Sequence, residues 1–79
     1  MVWWIVKKRE TEDIIEIGFS YERGEPNGVV IYDKKADKLT VTKAPDNCSG
    51  VIAKGVCQFI WGLMEDGNLT EKGYWIITG

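Results

Sequence analysis

The chain opens with an apolar run of aromatic and β-branched residues, Val2 to Lys8, which predicts a strand, and then turns polar from Arg9 to Asp13. From Ile14 to Tyr21 the pattern alternates. Ile15, Ile17, Phe19 and Tyr21 share one side and Glu16, Gly18 and Ser20 the other, the period of a strand covered on one face. Arg23-Gly24-Glu25-Pro26-Asn27-Gly28 concentrates turn chemistry, because Pro26 fixes one dihedral and Asn27-Gly28 tolerates positive φ. A third strand, Val29 to Tyr32, and a fourth, Lys38 to Lys43 with Leu39 and Val41 inward, flank the polar connection Asp33 to Asp37, which is of hairpin length. Consecutive strands with short connections predict an antiparallel meander.

After Ala44-Pro45-Asp46-Asn47 the hydrophobic period lengthens to that of a helix, from Ser49 to Asp66. At about 100° per residue, Ile52, Ala53, Val56, Cys57, Phe59, Ile60, Leu63 and Met64 fall on one arc of about 160°, which must lie on the sheet. Ser49 is the preferred capping residue at the start, with Asp46 and Asn47 as alternatives. Gly67 suits the left-handed position that stops a helix, although Glu65 and Asp66 oppose the helix dipole. A last strand follows from Gly73 to Thr78. Because the helix crosses the sheet first, this strand is most simply placed beside the first one. The expected fold is a single α+β domain over residues 1–79, ββββαβ, with sheet order 4-3-2-1-5 and all neighbours antiparallel.

Composition narrows the possibilities. A domain of 79 residues buries only about 60% of its unfolded surface, so self-association would help its stability. The 44% hydrophobic and 28% charged residues are those of a folded chain. The 12 acidic and 10 basic residues are intermixed, which removes the positive field of a backbone-reading nucleic-acid binder. Lys7-Lys8-Arg9, followed by Glu10, Glu12 and Asp13, reads as a charged hairpin tip. The basic residues follow the first apolar run and no small-residue cleavage site is seen, the wrong order for a signal peptide. No apolar run approaches the roughly 20 residues of a membrane span. A cytoplasmic protein is expected.

Candidate chemistry is sparse. Cys48 and Cys57, if both helical, stand about 13 Å apart, beyond the roughly 7 Å reach of a disulfide. Reduced thiols are expected, Cys57 in the core and Cys48 more open near the helix start. Without histidine a zinc site lacks its usual ligands, and no metal or cofactor is expected. No phosphate-cradling glycine loop occurs, and the acidic groups Glu10/Glu12/Asp13 and Glu65/Asp66 fall at turns or helix ends. No catalytic residue is assigned, and an enzyme is not expected.

The aromatic residues are more informative. Trp3 and Trp4, as neighbours in a strand, must point to opposite faces, and one helix can cover only one of them. One of the two, joined by Tyr32 and by Tyr74 or Trp75, is expected in an exposed aromatic patch. The polar side of the helix carries Lys54, Gln58 and Glu65 but also Gly55 and Gly62, seven residues apart and nearly aligned, each costing about 1 kcal/mol relative to alanine. Val51 and Trp61 border them. The candidate interaction surface is therefore Trp3, Trp4, Tyr32, Gly55, Trp61, Gly62, Tyr74 and Trp75. It implies a protein–protein interaction or accessory module that self-associates. The alternative is a small ligand-binding module whose aromatics stack on a sugar or a nucleobase.

Overall fold

Alternation in the strands and helical spacing after them build the predicted layers in a computed structural model that describes residues 2–21, 28–44 and 50–77, with the side chains of 21 and 50–53 excepted. The elements run β1 (Val2–Glu10), β2 (Ile14–Tyr21), β3 (Gly28–Asp33), β4 (Lys38–Lys43), α1 (Gly50–Asp66) and β5 (Tyr74–Ile77). They form one sheet of order β4-β3-β2-β1-β5, antiparallel throughout, with α1 on one face. This is the α+β arrangement expected from the pattern.

Register explains the core. Ile5 lies opposite Phe19, Ile17 opposite Val30, and Val30 opposite Val41, so these side chains share the face that meets the helix. Trp3, Ile5, Ile17, Phe19 and Val30 are buried with Val56, Ile60 and Leu63 of α1. Each such side chain contributes about 1.5–3 kcal/mol relative to being exposed. The Phe19 ring lies flat over Gly28, its cross-strand partner, where a β-carbon would overlap it.

The first hairpin differs from the expectation. Lys7 and Lys8 lie in β1 as the strand pattern predicts, but β1 continues through Arg9 to Glu10, so the basic cluster is not the hairpin tip and the turn narrows to Thr11–Asp13. Two local features cause this. A bulge between Lys7 and Arg9 absorbs an extra residue while pairing continues to Glu10 opposite Ile15. Thr11 then closes the turn, its Oγ1 accepting from the Asp13 and Ile14 amides at 3.2 and 3.1 Å and its own N–H donating to the Ile14 carbonyl at 2.8 Å.

The helix stops as its sequence requires. Gly67 at φ 74° donates to the Met64 carbonyl, and the Asn68 N–H donates to the Leu63 carbonyl at 2.8 Å, the paired bonds of a Schellman ending. Leu69 then packs on the core and leads the chain back to the edge of β1, where the Lys7 N–H donates to the Thr70 carbonyl. Of the turn expected over Arg23 to Gly28, Gly28 opens β3 and the rest lies outside the described residues, as do the capping residues Asp46, Asn47 and Ser49, Cys48, and the side chains of Ile52 and Ala53.

Candidate interaction surface

The pleat separates Trp3 from Trp4. Trp3 turns under the helix, 3% exposed, and makes a tilted contact with Phe19 at 6.2 Å between ring centroids, so it supports the core rather than a surface. Trp4 emerges on the opposite face, paired across strands with Trp75 at a centroid separation of 4.7 Å and 40° between planes. Its ring also covers Gly73, whose φ of 86° and lack of a β-carbon allow that approach. The aromatic pair and the start of β5 are thus locked together.

Around this pair the uncovered face is largely apolar. Val2, Trp4 and Val6 of β1 and Val29 and Ile31 of β3 are half-buried there, while Trp75 and Ile77 of β5 are 51% and 79% exposed. Tyr74, 42% exposed, lies on the helix side of the same strand, opposite Ile5. Between the apolar strands Gly18 and Ser20 are buried, and the Ser20 hydroxyl has no hydrogen-bond partner among the described residues. The sequence signal for Val2, Val6 and Ile77 was the unbroken apolar run in β1 and β5, which marks a strand hydrophobic on both faces.

Tyr32 does not join this patch. It pairs with Ile15 and Leu39, residues of the helix-facing side, so strand parity carries it under α1. There it meets Trp61 edge-to-face, 5.5 Å between centroids and 82° between planes, and its hydroxyl donates to Asp37 Oδ1 at 2.5 Å, which raises the phenol above its usual pKa. Trp61 accordingly sits on the flank of the helix that leans toward β3. Gly55 and Gly62 face outward, and a β-carbon on either would meet nothing within 4 Å. No close packing within the described chain demands glycine at these positions.

Two clefts flank the helix. One of about 360 Å³ is lined by Ile15, Tyr32, Trp61, Met64 and Leu69, with Lys7, Glu10 and Glu65 adding charge. Glu10 accepts from Lys34 Nζ at 2.8 Å and Lys7 Nζ at 3.0 Å, and these two ammonium groups lower its pKa to about 2, Lys34 foremost. Lys34 also donates to the Thr11 carbonyl at 2.7 Å, tying the β1–β2 turn to the β3–β4 turn. The other cleft, about 470 Å³, runs between β4 and α1 past Leu39, Val41, Lys54 and Cys57. Burial raises the Cys57 thiol pKa, which keeps it protonated and a poor nucleophile.

Among the described residues no group of three or more cysteines and carboxylates is placed to hold a metal ion, and no helix is long and apolar enough to cross a membrane. Comparisons with protein-family models, with curated proteins and with solved structures gave no match.

Proposed function

We propose that this chain is a small cytoplasmic protein–protein interaction module that acts as a homo-oligomer, with the apolar sheet end formed by β1 and β5 as its contact. One observation carries the reading: the large hydrophobic side chains exposed in the described chain, Tyr74, Trp75 and Ile77, all belong to β5, and Trp75 and Ile77 continue into the half-buried Trp4 and Val2 on the uncovered face. Clustered apolar exposure of this kind marks an interface, whereas scattered exposure would not. Among the described residues the helix surface around Gly55 and Gly62 offers no comparable apolar cluster. The unpaired Cys57 thiol agrees with a reducing compartment. Stacking on a sugar or nucleobase has weaker support, because Trp4 is already packed against Trp75 and Tyr32 meets Trp61 edge-to-face. Sedimentation velocity over a dilution series tests the reading: a concentration-dependent shift to a larger species is expected, and a monomer at every concentration up to the millimolar range would overturn it.

A further inference from the structure

We infer that self-association proceeds edge to edge, β5 pairing antiparallel with β5 of a second copy across a two-fold axis, so that two five-stranded sheets become one continuous sheet. The inference rests on the reading of the chain as a self-associating module and assigns the contact within it.

The argument starts from the two ends of the sheet. β4 and β5 are the edge strands, each with a neighbour on one side among the described residues. An edge exposes a row of backbone donors and acceptors, and soluble proteins commonly protect it with charge. β4 is protected in this way: its ends are Lys38 and Lys43, both exposed, with the exposed Thr40 and Thr42 between. β5, Tyr-Trp-Ile-Ile, carries no charge and exposes Tyr74, Trp75 and Ile77.

Charge then selects the partner. Antiparallel pairing of β4 with its own copy would draw Lys38 of one chain toward Lys43 of the other, and like charges placed opposite one another are destabilising. Pairing β4 with β5 would desolvate a lysine against an apolar strand. Pairing β5 with itself brings no charge to the contact, and a two-fold axis demands such self-complementarity.

Register follows from parity. Directly opposed residues in an antiparallel pair point to the same face, so the axis can pass through Ile76, which places Trp75 of each copy opposite Ile77 of the other. Aromatic and β-branched side chains are favourable cross-strand neighbours. Both helices then lie on one face, and the two Trp4–Trp75 pairs form a single apolar strip on the other. The contact is small, since a four-residue edge falls well short of the about 800 Å² per partner of a standard interface, so the dimer dissociates on dilution.

The test combines sedimentation with cross-linking. In a Cys48→Ser, Cys57→Ser background, Ile76→Cys is expected to form a disulfide-linked dimer on mild oxidation, because opposed α-carbons at about 4.5–5.5 Å lie within disulfide reach. Ile77→Lys, at a site already 79% exposed and so harmless to the fold, is expected to raise the dissociation constant by about tenfold or more with an unchanged circular dichroism spectrum. Ile31→Lys, on the uncovered face but three strands from the edge, is expected to leave the dimer intact. A dimer that Ile31→Lys dissociates and Ile76→Cys does not cross-link is stacked face to face, about 10 Å between sheets, and overturns the edge pairing while self-association stands. A monomer at every concentration overturns the functional reading itself.

Discussion

Phe19 and Ser20 are consecutive residues of β2 and almost equally hidden, Phe19 fully and Ser20 at 3% exposure, yet they are buried by different means. Phe19 faces the helix, where Ile5, Gly28 and Trp3 surround an apolar ring with apolar neighbours. Ser20 faces the uncovered side, opposite Trp4, and its hydroxyl is hidden without a partner among the described residues. One face of the sheet is closed by the apolar side of a helix, and the other by side chains such as Trp4 and Trp75 that still expose part of themselves. Burial alone therefore does not measure contribution to stability; what the buried group touches decides the sign.

Substitutions on the two faces should separate these effects. Phe19→Ala is expected to have the largest consequence, a loss of about 3–5 kcal/mol in urea unfolding, since it leaves a cavity beneath α1. A loss below about 1 kcal/mol would mean that the helix-covered face is not the stability centre. Gly73→Ala comes next: its β-carbon would overlap the Trp4 ring at a positive φ, and a loss of about 1–3 kcal/mol is expected together with a change in tryptophan fluorescence as the Trp4–Trp75 pair separates. An unchanged spectrum would show that the aromatic cover on the open face does not depend on Gly73. Ser20→Ala should have the smallest effect, neutral or stabilising by up to about 1 kcal/mol, because it removes a buried hydroxyl that has no partner among the described residues. Destabilisation beyond about 1 kcal/mol would show that the hydroxyl is hydrogen-bonded in solution.

The charge cluster at the far end of β1 belongs to neither face. Glu10 has its pKa lowered to about 2 from 4.5, so its contribution is present above pH about 4.5 and fades as the pH falls toward 2. It is exposed, so its role is local, holding Lys7 and Lys34 at the joined turns.

Most of the architecture was legible because it rests on local periodicity. The alternation through Ile15, Ile17 and Phe19, the helical spacing of Val56, Ile60 and Leu63, and Gly67 after Asp66 are each set by residues within a few positions of one another. Strand order followed because short connections leave few topologies for β1 to β4 and the crossing helix leaves the β1 edge for β5. The hairpin boundary was placed two residues early because Arg9 and Glu10 look like turn residues, while the bulge that keeps them in β1 depends on pairing with β2.

The candidate surface was legible only in part. Adjacency in sequence obliges Trp3 and Trp4 to part company, and that much no packing could alter. Which of them meets the helix, and that Tyr32 sits beside Trp61 instead of in the open patch, depends on the register of β1, β2 and β3 against the helix. A strand's own pattern cannot resolve this where both faces are apolar, as in Val2–Val6, because a shift of one residue exchanges the faces without changing the pattern. The sequence by itself determined the elements, their order and the two opposed tryptophans. Tertiary structure alone decided which tryptophan became core, because only the assembled sheet places a helix over one of its two apolar faces.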